Sequence, residues 1–508
     1  MVSFASINPT WKLPGVSIEV DPSQAGTPVN PRWLVLHGIK LAAGQAPADR
    51  LIAVGTQADA DRLAGQGSML ARMFKVAFAI NRGTPIFFLP VAEPSAGVKA
   101  TGTITVAAAP TVAGTIPLYI AGQKLQVLVG SSDTTAQVAT KIANAINATG
   151  DLPVTAAAAS AVVTLTAKWK GLSGNDIRVE DSYRGFYGGE LLPAGLSLTY
   201  PTDNVLSGGT GTPDLTSAIA NYGDGPHKFL ALPFNDSGSF SLWDTEFGFS
   251  DSGRWGWVRQ SYGQVWSVKR DSYANLFAYG PTNNSAVISP LALEPTSPTP
   301  TWEWTAAYAA RAAGALSADP ARPLQTLTLD GCLPAPQSGR FSKAQLNGLA
   351  QVGLAIQGTD LDGTSAGIPQ ILREQTSYQR NASGQADNSY EVATTLSTLD
   401  EVLTRIRQGL STKFGRVKLT SNGTRFGAGQ AIVTPLIIKA EIVAIYEGLE
   451  IDGIVENTTL FKNYLVVERS STNPDTVEVL LPPDIVNGLR RLNVKAQFRL
   501  QFPSSLAA

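Results

Sequence analysis

Trp33-Leu-Val-Leu-His-Gly-Ile39 is a short, nearly unbroken apolar run, and it reads as a buried strand. Thr84-Pro-Ile-Phe-Phe-Leu89 is a second such run. Between them, residues 58–80 place Leu63, Leu70, Phe74, Ala77 and Phe78 near helical spacing, with Gly65 and Gly67 expected to interrupt the helix. Strand, helix and strand make a β-α-β unit, so the fold class is α/β, with mixed α+β character elsewhere in the chain.

Beyond this unit, from about residue 96 to 182, the composition turns to Thr, Val, Ala and Gly with few charges. Strand candidates follow closely at 101–106, 115–120, 124–129 and 162–167. One helix lies among them, with Asp133 as its expected N-cap and Val138, Ile142 and Ile146 on one face. This reads as an α+β module inserted into the first domain, with Gly171-Leu-Ser-Gly-Asn175 as the turn that returns the chain. The α/β pattern resumes after Gly208-Gly209, with strands expected at 228–232, 264–269 and 286–289 and helical segments near 251–262 and 271–278. A helix carrying Trp302 and Tyr308 should end at Asp319-Pro320. Further on, helices are expected at 342–350, 390–410 and 434–449, the last apolar on most sides and therefore buried. Strands are expected at 460–468 and 476–481.

Both ends of the chain alternate. Leu492, Val494, Ala496, Phe498, Leu500 and Phe502 fall on one side, with Asn493, Lys495, Gln497, Arg499 and Gln501 on the other. Such a pattern predicts a half-buried strand, roughly 36 Å long if fully extended. Val16-Ser17-Ile18-Glu19-Val20, bracketed by Pro14-Gly15 and Asp21-Pro22, is a shorter version. Each run can be an ordinary strand of its own domain, or an arm laid into the sheet of a neighbouring subunit.

A chain of 508 residues exceeds one compact core, and about three domains are expected. The domain reading is an N-terminal arm at 1–30, a discontinuous α/β domain at 31–95 and 183–340, the insert at 96–182, a C-terminal domain at 341–490, and a C-terminal arm at 491–508. Lys plus Arg number 39 against 40 Asp plus Glu, which leaves no strong field to recruit nucleic acid or an anionic membrane. It also removes a barrier to self-association. A single cysteine, Cys332, excludes an internal disulfide, and with only His37 and His227 present no zinc-enzyme pattern fits. No secretory leader is visible at the N-terminus, and no window approaches the ~20 apolar residues of a membrane span. The chain is therefore expected to accumulate in the cytoplasm that makes it.

The sequence offers little that points to an enzyme. Gly65-Gln66-Gly67 lacks a third spaced glycine and a lysine at phosphate-loop spacing, so it reads as a helix-breaking turn. His37 sits on a buried strand and His227 at a strand edge, neither with a spaced Ser or Asp partner. Gly358-Thr-Asp-Leu-Asp-Gly363 offers half of a calcium loop and reads as a solvated loop. The aromatic run Trp243, Phe247, Phe249, Trp255, Trp257, Tyr262 and Trp266 has few interleaved basic residues, so it reads as packed core or subunit contact.

Four stretches stand in order along the chain: Leu13-Pro-Gly-Val-Ser-Ile-Glu-Val20, Asp319-Pro-Ala-Arg-Pro-Leu-Gln-Thr326, Ile371-Leu-Arg-Glu-Gln-Thr-Ser-Tyr-Gln379 with the 381–390 loop, and Asn487-Gly-Leu-Arg-Arg-Leu-Asn-Val-Lys-Ala-Gln-Phe-Arg499. In these stretches the sequence resembles contractile-tail sheath proteins of Mu-like bacteriophages. The inserted module also resembles one found in phage sheaths. The resemblance implies a multidomain sheath fold with an inserted α+β module and extended terminal β-arms. It implies subunits stacked in six-fold rings around a tail tube, contracting without nucleotide hydrolysis to drive the tube through the host envelope. Implied partners are further copies of the chain in a helical sheath, the tail tube protein, and baseplate and tail terminator proteins. Nucleic acid, membrane insertion, cofactor, metal and catalytic residues are not implied. Location would be the virion, after synthesis in the host bacterial cytoplasm. Val16, Ile18 and Val20 would be the inward face of the N-terminal arm, and Leu492 through Phe502 that of the C-terminal arm. Charged contacts are expected from basic segments such as 405–416. Two other readings stay open at this point: a subunit of another particle, such as a headless bacteriocin-like sheath or a tube or capsid component, and an α/β enzyme whose terminal strands complete its own sheet.

Overall fold

The computed structural model describes residues 30–359, 367–427 and 429–500. Val16, Ile18, Val20, Phe502 and the Asp360 and Asp362 carboxylates lie outside them.

The opening β-α-β unit is present. Leu34–Ile39 (β1) is followed by the short Ile52–Val54 (β2), helices Gln57–Ala64 (α1) and Met69–Ile80 (α2), and Ile86–Val91 (β3). β1 and β3 pair in parallel, and β2, which the sequence did not reveal, joins β3 antiparallel. The expected interruption separates α1 from α2. Gly67 there has φ +76, and an added Cβ would lie 2.5 Å from Leu152 O, so the chain turns where no side chain fits.

The insert contains Lys99–Ala108 (β4), Gly114–Ile120 (β5), Gln123–Val129 (β6), Thr135–Ala148 (α3), Val154–Ala159 (β7), Val162–Lys170 (β8), Val179–Asp181 (β9) and Ser197–Thr199 (β10). They form two antiparallel sheets, ordered β10-β4-β8-β7 and β6-β5-β9, with α3 packed against both. α3 is capped by Thr134, not Asp133: Thr134 Oγ1 accepts from Gln137 N, and Gln137 Oε1 accepts from Thr134 N. Asp133 instead accepts from Gly130 N and Lys141 Nζ. Strand pairing continues past residue 182, through β10 to the bridge between Val98 and Thr210.

The central sheet then continues. After Thr216–Ala220 (α4) come Phe229–Ala231 (β11), Ser237–Phe247 (α5), Gln264–Arg270 (β12), Tyr273–Tyr279 (α6), Ile288–Leu293 (β13) and Thr301–Ala318 (α7). The order is β13-β12-β11-β1-β3-β2, parallel except for β2. α7 is buried along nearly its whole circumference. Ala306, Ala307, Ala309, Ala310, Ala312 and Ala313 let it approach α2 and the sheet closely, while Trp302, Trp304 and Tyr308 fill the wider gaps.

The expected helix at 251–262 does not form. Helix α5 precedes it, and residues 248–263 make successive turns around Arg254, whose guanidinium donates to the carbonyls of Gly223, Gly225, Ser261 and Tyr262. A Cβ at Gly256 would lie 2.1 Å from Ser250 O, which shows how tightly these turns are wound.

Lys343–Gln351 (α8), Ile356–Gly358 (β14) and Gln370–Arg373 (β15) lead to Ala393–Phe414 (α9). Beyond it lie Lys418–Leu419 (β16), Ile432–Val433 (β17), Pro435–Ile451 (α10), Thr458–Tyr464 (α11), Val466–Arg469 (β18) and Val477–Leu480 (β19). Two compact units result: the larger contains Arg32–Asp400, Gly453–Glu456 and the residues from Asp484 onward, and the smaller contains Glu401–Asp452 and Asn457–Pro483.

Within the smaller unit two expectations fail. α10 is not buried on most sides: Ile442, Tyr446 and Leu449 face inward, while Leu436 and Ile451 are exposed. The first part of the expected 460–468 strand is helix α11. Glu450 accepts from Thr458 N and Thr458 Oγ1 at its start, and Phe461 stacks on Tyr446 with ring centroids 3.6 Å apart. Those two contacts outweigh the strand-like local pattern.

Candidate functional site

The residues that could carry enzyme chemistry are used for packing. His37 is fully buried between Phe234 and Trp243, and its Nδ1 donates to Leu89 O at 2.7 Å. His227 packs edge-on against Trp33, Phe87 and Tyr222. Cys332 is buried, which pushes its thiol well above the usual range. Among the described residues no group of three or more His, Cys, Asp or Glu side chains could hold a metal ion, and no helix is long and apolar enough to cross a membrane. Trp243, Phe247, Tyr262 and Trp266 of the aromatic run are core, whereas Trp257 and Phe249 are exposed. Arg405 is committed to ion pairs with Glu401 and Asp452, and Lys413 to one with Glu441.

Burial lowers the pKa of both histidines to about 4, with the Arg254 charge adding to the effect at His227. The folded chain therefore holds them neutral while the unfolded chain protonates them near 6.5. As pH falls from about 6.5 to about 4 the unfolded state binds the extra protons and stability is lost; below about 4 these groups add no further loss. For the fully buried His37 the loss is on the order of 3 kcal/mol. Urea titrations at about pH 7 and about pH 4.5 should show the decline, and His37→Phe should flatten it. Equal pH slopes for the two proteins would refute the assignment.

The described part of the C-terminal run is arranged differently from the strands of the sheets. Leu492, Val494, Phe498 and Leu500 are 77%, 79%, 86% and 97% exposed, and Ala496 is exposed too. Residues 491–500 belong to no helix or strand. The described part of the expected half-buried strand is thus not built into the described sheets, and its apolar face stands in solvent.

Its root, by contrast, is fixed within the larger unit. Val455 and Ile485 form a bridge, Glu456 N donates to Asp484 O at 2.9 Å, and Val486 N donates to Ile454 O at 3.2 Å. Gln325 Nε2 donates to Leu489 O, and Arg490 Nη2 donates to Glu374 Oε1 at 2.5 Å and to Thr394 Oγ1 at 3.0 Å. A polar cleft of about 400 Å³ lies beside this root, lined in part by Arg373, Glu391, Asn487 and Arg490. Sequence reading did not single out Glu374 or Arg490 as a pair. They are 116 residues apart, and no local spacing signals the contact.

In the smaller unit β18 and β19 form a two-stranded antiparallel sheet. Val466, Val479 and Leu480 are 43%, 41% and 64% exposed, and among the described residues each strand pairs only with the other. Such a hairpin is marginal by itself, and among the described residues both its outer edges are open.

Residues 385–499 match the family model described as the phage tail sheath C-terminal domain. Over 501 residues the chain is 37% identical to the Mu-like prophage FluMu tail sheath protein of Haemophilus influenzae, covering 98% of this chain and 100% of that protein. Two solved sheath tail proteins are similar in structure. That of Desulfitobacterium hafniense has 14% identity and a TM-score of 0.48, with 96% of this chain and 100% of the other covered. That of Listeria innocua has 12% identity and a TM-score of 0.48, with 90% and 92% covered.

Proposed function

Because this chain belongs to the phage tail sheath family, we propose that it assembles in stacked six-fold rings around a tail tube and contracts without nucleotide hydrolysis. The observation that carries this reading is the exposed apolar face of residues 492–500 on a firmly rooted segment. A contiguous exposed apolar face of this kind marks a surface that another molecule covers in the assembly. The proposed occupant is the open edge of β18 or β19 in a neighbouring copy, joined by ladder hydrogen bonds in which alternate side chains set the register. Residues 16–20 would add a second strand in the same way, and the insert and the discontinuous α/β domain would remain as rigid bodies.

Energetics favour a cooperative lattice over a pair. Burying six apolar side chains contributes on the order of 10 kcal/mol by area. Ordering eleven backbone residues costs about the same. One arm is therefore near balance, and stability comes from many arms engaging together. Contraction is a passage from a metastable array to one with better contacts, the paired arms keeping the rings joined. The tube, baseplate and tail terminator proteins would be its other partners in the virion.

Negative-stain microscopy of the purified full chain tests the proposal. Hollow cylinders with six-fold end views are expected, and a solution of uniform monomers under all assembly conditions would overturn it.

A further inference from the structure

We propose that the first two turns of α9 form a joint to which both arms are anchored, so that tension arriving through one arm passes to the other without crossing the rest of the subunit. The inference rests on the arm reading above. At the N-terminal side, Arg32 stands just ahead of β1 with its side chain 3% exposed. Its Nη2 lies 3.3 Å from Asp400 Oδ2 and donates to Ser397 O, and its Nη1 donates to Leu316 O at 2.6 Å. Lys228 Nζ holds the other Asp400 oxygen at 2.5 Å. At the C-terminal side, Arg490 grips Glu374, whose side chain is fully buried, and Thr394 Oγ1. Thr394, Ser397 and Asp400 lie on one short stretch of α9, spanning about 9 Å at 1.5 Å per residue.

That stretch is itself fastened to the central sheet and its surroundings. Gln264 on β12 donates through Nε2 to Ala393 O at 2.8 Å and accepts from Ser397 Oγ at 3.1 Å. Thr398 Oγ1 donates to Pro320 O at 3.2 Å, and Ala393 N donates to Glu374 O at 3.1 Å. Apolar contacts slide at little cost, whereas a buried guanidinium aligned on carboxylate and carbonyl oxygens has one good geometry. Buried pairs of this kind add little net stability and serve to fix one arrangement. Here the arrangement fixed is the direction in which each arm leaves the body, and fixing it raises the concentration of the arm at its acceptor.

The test uses the full chain. Arg32→Met removes the N-terminal anchor while leaving Asp400 paired with Lys228, and Glu374→Gln combined with Arg490→Met removes the C-terminal one without stranding a buried charge. Melting temperature reports the fold, hydrogen exchange of residues 484–490 reports the root, and negative-stain microscopy reports tube length. Arg32→Met takes the donor from the Leu316 and Ser397 carbonyls and should lower the melting temperature by a few degrees without unfolding the chain; in the folded variants, exchange in the double variant should quicken about tenfold and mean tube length in both should fall about tenfold. Arg490→Lys should restore part of the length, because a point charge still reaches Glu374. Wild-type tube length in Arg32→Met, or in a folded double variant, overturns the inference, provided that a chain lacking residues 492–508 makes no tubes. Tubes from that truncated chain would instead remove the arm reading itself.

Discussion

Deleting residues 492–508 is expected to leave a folded chain that forms no tubes. The described part of this segment is exposed throughout and adds no core side chain, so the melting temperature should move by less than about 2 °C. Assembly should respond in the opposite sense. On the proposed arm reading each copy loses a segment whose burial in a neighbour would be worth on the order of 10 kcal/mol before ordering is subtracted, and a lattice would lose that link at every position at once. A point version separates the two faces. Phe498→Lys with Leu500→Lys places charge on the apolar side and should abolish tubes, whereas Lys495→Gln, on the alternate side, should be tolerated. Truncated chain that sediments as tubes of ordinary length would show that the segment is not what joins the copies.

Local pattern decided the elements that sequence reading located well. β1, β3, β11 and β12 are apolar runs too short for helices, and they occupy the interior of a parallel sheet where such runs belong, while β13, equally buried, closes one side of it. The break between α1 and α2 was marked by glycines with no competing signal. What was missed depends on partners distant in sequence. α11 reads locally as strand, and only Tyr446 beneath Phe461 and Glu450 at its start make it a helix. The arm alternation is visible in the sequence, yet nothing there says that its face stays in solvent. Its anchors are less legible still, because Arg490 and Glu374 find each other only after the central sheet and α9 are in place. The match to known sheath proteins came from the order of ordinary motifs along the chain, and it covers regions whose local structure was misread.

Arg254→Leu is expected to destabilise the larger unit by roughly 3–5 kcal/mol, among the largest losses a single substitution can cause in this chain. The guanidinium is fully buried and lies over the rings of Tyr222 and Phe247. Burial lowers its pKa, but the guanidinium starts so high that it stays charged. Among the described residues no carboxylate is paired directly with it; Glu246 and Asp224 are held by Arg259 instead. Its charge is solvated by the four carbonyls it bonds, and each of those carbonyls loses its donor when leucine replaces it. Every buried acceptor left without a partner costs about 1–3 kcal/mol, offset in part by removal of the buried charge. Arg254→Lys should recover less than half, since one ammonium cannot reach carbonyls from residues 223, 225, 261 and 262 together. Urea titration followed by tryptophan emission reads the loss directly, because Trp255 packs on Tyr262 and donates to Gly263 O in the same turns. A leucine variant within about 1 kcal/mol of the wild type would mean that these turns hold themselves, and that the aromatic packing alone prevents residues 251–262 from closing into a helix.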